Sequence, residues 1–145
     1  MLDMNEITIN KHRSKMKKDA NFLGFIQLVV GIGAIPAGLS MIFEPSGNGI
    51  GMTPEILINT PFDTFLIPGI FLFVVNGLCN IYCSILSFRK NNYLGIFSII
   101  LGSFLVLWII IQVYLIGLIH FLQPLFFIIG IVEIILGYRY NTIKN

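Results

Sequence analysis

Four stretches of this chain, about residues 22–43, 64–88, 93–117 and 121–139, run for about twenty residues each with scarcely a charge. An α-helix rises about 1.5 Å per residue, so each stretch can cross the roughly 30 Å hydrocarbon layer of a bilayer. A soluble core explains one such helix. It does not explain several in 145 residues. Composition agrees, with 56% hydrophobic and 11% charged residues and a mean hydropathy of +0.88, far from a soluble domain. The expected fold class is all-α: a polytopic membrane protein, a four-transmembrane-helix antiparallel bundle with a short interfacial helix in the first outer loop. Residues 1–21 form a basic arm, 22–140 the transmembrane domain with its outer loop at 44–63, and 141–145 a tail.

Where the charges lie sets the orientation. All nine Lys and Arg residues fall in the arm (Lys11, Arg13, Lys15, Lys17, Lys18), in the 89–92 turn (Arg89, Lys90) or near the C-terminus (Arg139, Lys144). With four spans these three places share one side, so the positive-inside bias puts both termini in the cytoplasm and the protein in the cell membrane. The arm followed by an apolar run superficially resembles a signal peptide, but the run is too long for one and lacks a small-residue cleavage site. It reads as an uncleaved first span, with Pro36 bending its outer half. His12, among the arm's bases, is expected to be solvated.

The 44–63 connection is the only substantial one. Its first half, Glu44-Pro45-Ser46-Gly47-Asn48-Gly49-Ile50-Gly51-Met52, is turn chemistry, and its glycines lack the Lys-Ser/Thr ending of a phosphate loop. In its second half Thr53 is placed as an N-cap, Pro54 at the first helical position and Glu55 in the first turn, which predicts a short helix. Pro124 is placed to open the fourth span.

Inside the apolar runs one pattern recurs: a polar residue between two small ones, at minus three and plus four. It occurs as Gly24…Gln27…Gly31, Gly77…Asn80…Ser84, Gly95…Ser98…Gly102 and Gly130…Glu133…Gly137. On a helix each trio shares one face. Counted from the nearest polar boundary, Glu133, Asn80, Gln27 and Ser98 all sit roughly 9–14 Å deep, which predicts one inner polar layer. An unpaired ionised glutamate there is costly, so Glu133 is expected to face the interior and to be either neutral or hydrogen-bonded, with Asn80, Gln27 and Ser98 on offer as partners. Such a layer either fastens helices, at about 0.6–2 kcal/mol per hydrogen bond, or forms a binding site.

A second constellation is expected at the outer mouth: Asp63, Glu44, Gln112, His120 and Gln123, with Glu55 nearby. These residues lack metal-ligand spacing and include one histidine, so loop caps and interfacial hydrogen bonds are the favoured reading over a cation site, and no metal is expected. Cys79 and Cys83 lie four apart on a helix, about 5–6 Å between Cβ atoms, too far for a disulfide without distortion. They read as buried thiols.

Pro45-Ser46-Gly47, Pro61-Phe62-Asp63 followed by Phe65-Leu66-Ile67-Pro68-Gly69, Trp108-Ile109 with Gln112, and Leu122-Gln123-Pro124 together resemble a bacterial family of small four-span membrane proteins without an assigned activity. The resemblance covers about residues 22–138, and a looser one extends to the DoxX-like four-helix membrane proteins. It implies a four-helix bundle with a structured outer loop and supplies no catalytic mechanism. No cofactor or nucleic-acid contact is expected, and no catalytic residue is assigned; in an enzyme, Glu133 or the Asp63/His120 region would supply the acid–base chemistry. The expected function is a non-enzymatic small-ligand or lipid-binding or accessory membrane module, with membrane lipids as partners and a homo-oligomer or larger complex as a further one. The alternatives are a membrane enzyme acting on a lipid or quinone-like substrate, and a subunit of a proton-linked transporter.

Overall fold

In a computed structural model, which describes residue 1 and residues 3–145, the chain is all-helical, with no strand among the described residues. Four helices are long and apolar enough to cross a membrane: α1 (Met4–Phe43), α2 (Leu66–Phe88), α3 (Leu94–Ile116) and α4 (Leu122–Lys144). Their bounds fall within a few residues of the apolar runs, except at two places. The basic arm is not separate: α1 is unbroken over 40 residues, or about 60 Å, twice the thickness of a hydrocarbon layer. The last helix also continues past residue 140, through Lys144.

The helix ends have local causes. Lys90 takes a positive φ of 52° just after α2, and Gly117, at φ 76°, stops α3. The Asn91 Oδ1 accepts the Tyr93 N–H at 3.0 Å ahead of α3. Between residues 44 and 65 the chain makes two 3-10 turns, Asn48–Ile50 and Pro54–Leu57, the second starting where Thr53-Pro54 predicts it. Exposed Glu55 lies in that turn, and hydrogen bonds from its own backbone and then from Thr53 hold its carboxyl below the ordinary carboxylate range. The connection is tied down by the Phe65 N–H, which donates to the Pro45 carbonyl at 2.9 Å. Leu57 and Phe65 are buried against Met41.

All four helices contribute to one core: Ala20 and Leu23 from α1, Cys83 from α2, Leu94 and Leu101 from α3, Leu136 and Tyr140 from α4. Helices α3 and α4 meet backbone to backbone. A Cβ on Gly102 would stand 2.6 Å from the Gly130 carbonyl oxygen, and one on Gly137 would stand 2.7 Å from that of Gly95. The seven-residue glycine spacing thus serves backbone contact, in which only glycine fits.

At one end of the molecule the three basic segments meet. Arg139 pairs with Asp19 at 3.3 Å. The Lys90 Nζ donates to the Asn21 Oδ1 at 3.1 Å, the Tyr140 hydroxyl to the Lys90 carbonyl at 3.1 Å, and the Lys144 Nζ to the Asn92 carbonyl at 3.3 Å. We call this the basic end, and the opposite one, capped by residues 44–65, the loop end.

Candidate functional site

The second helix changes its winding in mid-course. Leu66–Phe71 is α-helical, Leu72–Cys79 is π-helical, and Asn80–Phe88 is α-helical again. A π-turn is wider than an α-turn and occurs disproportionately at functional sites. Asn76 lies inside this segment, 1% exposed, and neither its amide nitrogen nor its oxygen has a hydrogen-bond partner among the described residues. Such a group costs about 1–3 kcal/mol to leave unsatisfied.

Asn76 forms part of the wall of a cavity of about 380 Å³ in the loop-end half of the molecule. Val30, Ala34 and Met41 of α1, Leu72 of α2, and Leu105 and Ile109 of α3 supply apolar wall. Val30 and Met41 of α1 stand eleven residue steps apart along its wall, or roughly 16 Å. Gln112, His120 and Gln123 stand towards the loop end, with Ile50 and Met52 of the connection across the top. Trp108, the sole tryptophan, also lines the cavity and stacks on Phe71 with ring centroids 4.6 Å apart. A smaller cavity of about 50 Å³ lies under the connection, and Met41, Met52, Trp108, Gln112 and Ile116 border both. A largely apolar pocket of this size with a few convergent polar groups has the anatomy of a small-molecule site.

The mouth residues expected from the sequence divide. Gln112, His120 and Gln123 reach the main cavity; Asp63 and Glu44 are exposed and line neither cavity. Gln123 is also a structural strut. Its Oε1 accepts the N–H groups of Ile119 at 2.9 Å and His120 at 3.2 Å, and its Nε2 donates to the Gly117 carbonyl at 3.2 Å. His120 Nδ1 accepts the Leu122 N–H at 3.2 Å. Both side chains hold the turn into α4, which is the capping role weighed against a cation site. Among the described residues no group of three His, Cys, Asp or Glu side chains is placed to hold a metal.

The expected inner layer separates into two. Gln27 donates through Nε2 to the Ser98 hydroxyl at 2.8 Å and accepts the Ser87 hydroxyl on Oε1 at 2.6 Å. Cys83 lies 3.8 Å from the same Ser98 oxygen, and Ser84 donates to the Gly24 carbonyl at 2.8 Å. Asn80 and Glu133 belong to the next turn towards the loop end. Asn80 precedes Cys83 by three residues, and the Glu133 Cβ lies 3.0 Å from where a Cβ on Gly102 would stand, one turn beyond Ser98. Both are fully buried, and neither makes a side-chain hydrogen bond. The expectation that Glu133 pairs with Asn80, Gln27 or Ser98 is therefore corrected. Gln27 bonds to Ser98 and Ser87, and neither Gln27 nor Ser98 bonds to the carboxyl. Three polar levels result: Asn76 in the cavity wall, Asn80 and Glu133 about one helical turn nearer the basic end, and beyond them Gln27 with Ser98 and Ser87.

Sequence reasoning missed Asn76 and Ser87, and placed Ser84 only as a small flanking residue. Asn76 stands four residues before Asn80 in an otherwise apolar run, a spacing that puts both on one helical face. That signal was available. No family model, curated protein or solved structure matches this chain.

Proposed function

We propose that this protein is an integral membrane protein of four antiparallel spans, its basic end in the cytoplasm, that binds a membrane-soluble small molecule in the loop-end cavity without transforming it. One observation carries the reading. A buried asparagine with both polar atoms unpartnered among the described residues stands in the wall of a largely apolar cavity, and a ligand offering a donor and an acceptor satisfies it. The wall holds a single titratable side chain, His120. With no second acid or base on the wall to work with it, binding is favoured over acid–base catalysis. The gathering of Asp19, Arg139, Lys90 and Lys144 at one end supports placing all the basic segments on one face of the membrane.

Trp108 supplies the test, because the only indole in the chain sits on the cavity wall. Protein in lipid nanodiscs is titrated with a long-chain fatty alcohol brominated beside its hydroxyl, whose bromine quenches indole emission on contact. Saturable quenching is expected, and Asn76→Leu weakens it by about 10–100-fold, the equivalent of one to two lost hydrogen bonds. Quenching that does not saturate, or that Asn76→Leu leaves unchanged, removes the reading.

A further inference from the structure

Glycine is costly in a helix interior unless something needs its missing side chain. In α1 three glycines have such a reason. A Cβ on Gly24 would meet the Phe88 ring at 3.0 Å, on Gly31 the Ile81 side chain at 2.6 Å, and on Gly38 the Phe73 backbone at 2.6 Å. Gly33 has none. It is exposed, nothing lies within 4 Å of where its Cβ would be, and yet it lines the main cavity. One turn on, Ala37 lines it too. Facing them across the cavity are Leu122, 38% exposed, and Phe126 at the start of α4. Towards the basic end the same two helices share a core through Ala20 and Leu23 with Leu136 and Tyr140. Beyond it the cavity stands between them. Pro36 adjoins this opening and, lacking an N–H, leaves the Ile32 carbonyl without its helical donor.

We infer that the space between α1 and α4 over Gly33 is a lateral portal, through which the ligand enters from the bilayer rather than from water. This inference rests on the binding reading above and names its ligand class: a single-chain amphiphile with a hydroxyl or amide head. Asn76 requires a group that both donates and accepts, and it stands in the cavity wall, not at the rim. The head therefore goes in first. The chain behind it needs an apolar exit, and Ile50 and Met52 cover the loop-end side. Between Gly33, Ala37, Leu122 and Phe126 the exit opens directly onto the apolar faces of α1 and α4, where Ile32 and Val29 are exposed.

The experiment follows the rate, rather than the extent, of Trp108 quenching after nanodiscs are mixed with vesicles carrying the same brominated alcohol. Gly33→Phe puts a ring in the open space, and Ala37→Phe does so one turn away; either, once shown to be folded by circular dichroism, serves. Each is expected to slow quenching on the order of tenfold, as an obstructed association step does. Ile58→Phe, at an exposed position of the connection that lines neither cavity, leaves the rate unchanged. A wild-type rate in the folded Gly33→Phe and Ala37→Phe variants, or equal slowing by Ile58→Phe, overturns the portal while Asn76-dependent quenching keeps the binding reading standing. Quenching that is insensitive to Asn76→Leu overturns both.

Discussion

Asn76 and Glu133 pose the same physical problem in different surroundings. Each is a buried polar side chain without a partner among the described residues and without accessible polar surface, but Asn76 stands in the wall of a cavity and Glu133 does not. A ligand can satisfy the first. Nothing within hydrogen-bonding reach satisfies the second, so replacing Glu133 by a hydrocarbon of similar size removes a desolvation cost without orphaning a neighbour. Glu133→Leu is therefore expected to raise thermal stability in detergent by about 1–3 kcal/mol, with Glu133→Gln falling between it and the wild type. A lower melting temperature for Glu133→Leu means the carboxyl has a partner that the packing does not display. The residue scale is also where the sequence is hardest to read. The small-polar-small pattern turns Gln27 and Ser98 towards neighbouring helices as candidate partners of Glu133, and they bond to one another instead. Counting residues from the boundary has an uncertainty of about one turn, though, and one turn separates a satisfied glutamine from an unsatisfied glutamate. Ser87 completes the Gln27 set but lies outside the pattern, next to the basic turn, where it reads as boundary.

At the scale of elements, periodicity was the better guide, because helix length and glycine spacing depend on short-range geometry alone. The glycines of α3 and α4 fall where backbones meet, and the apolar runs delimit the helices to within a few residues. The π-helical winding of Leu72–Cys79 is another matter. No residue type demands it, and it arises from packing that a linear pattern does not record. The same glycine type thus has opposite consequences in different places. Gly102→Ala drives a methyl into the Gly130 carbonyl, 2.6 Å away, and the Glu133 Cβ, 3.0 Å away, so α3 and α4 must separate. Overpacking of this kind costs about 1–3 kcal/mol. Gly33→Ala meets open space and is expected to be neutral or to gain about 0.5–1 kcal/mol from helix propensity. Chemical unfolding of the two variants side by side checks this, and equal destabilisation would mean that α1 is packed at Gly33 by something other than this chain.

For the whole molecule the governing quantity is the placement of charge. Nine basic residues distributed nine to zero between the two ends are a stronger constraint than any single motif, because each one moved across a bilayer is penalised separately. The folded chain adds a physical reason for the three segments to move together: Asp19 with Arg139, Asn21 with Lys90 and Asn92 with Lys144 tie them into one polar cluster. No segment can then cross without breaking those contacts. The proposed orientation places that cluster in the cytoplasm and the 44–65 connection outside. Asn48 and Asn92 are exposed and lie at opposite ends, so single cysteines there report the two faces once Cys79 and Cys83 are replaced by alanine. In intact cells a membrane-impermeant maleimide is expected to modify Asn48→Cys and to spare Asn92→Cys until the membrane is opened. The reverse pattern would invert the topology and move the cavity to the cytoplasmic half. Modification of both in intact cells would show that the two ends are not separated by a bilayer at all, and the lateral route past Gly33 would then have no lipid to open onto.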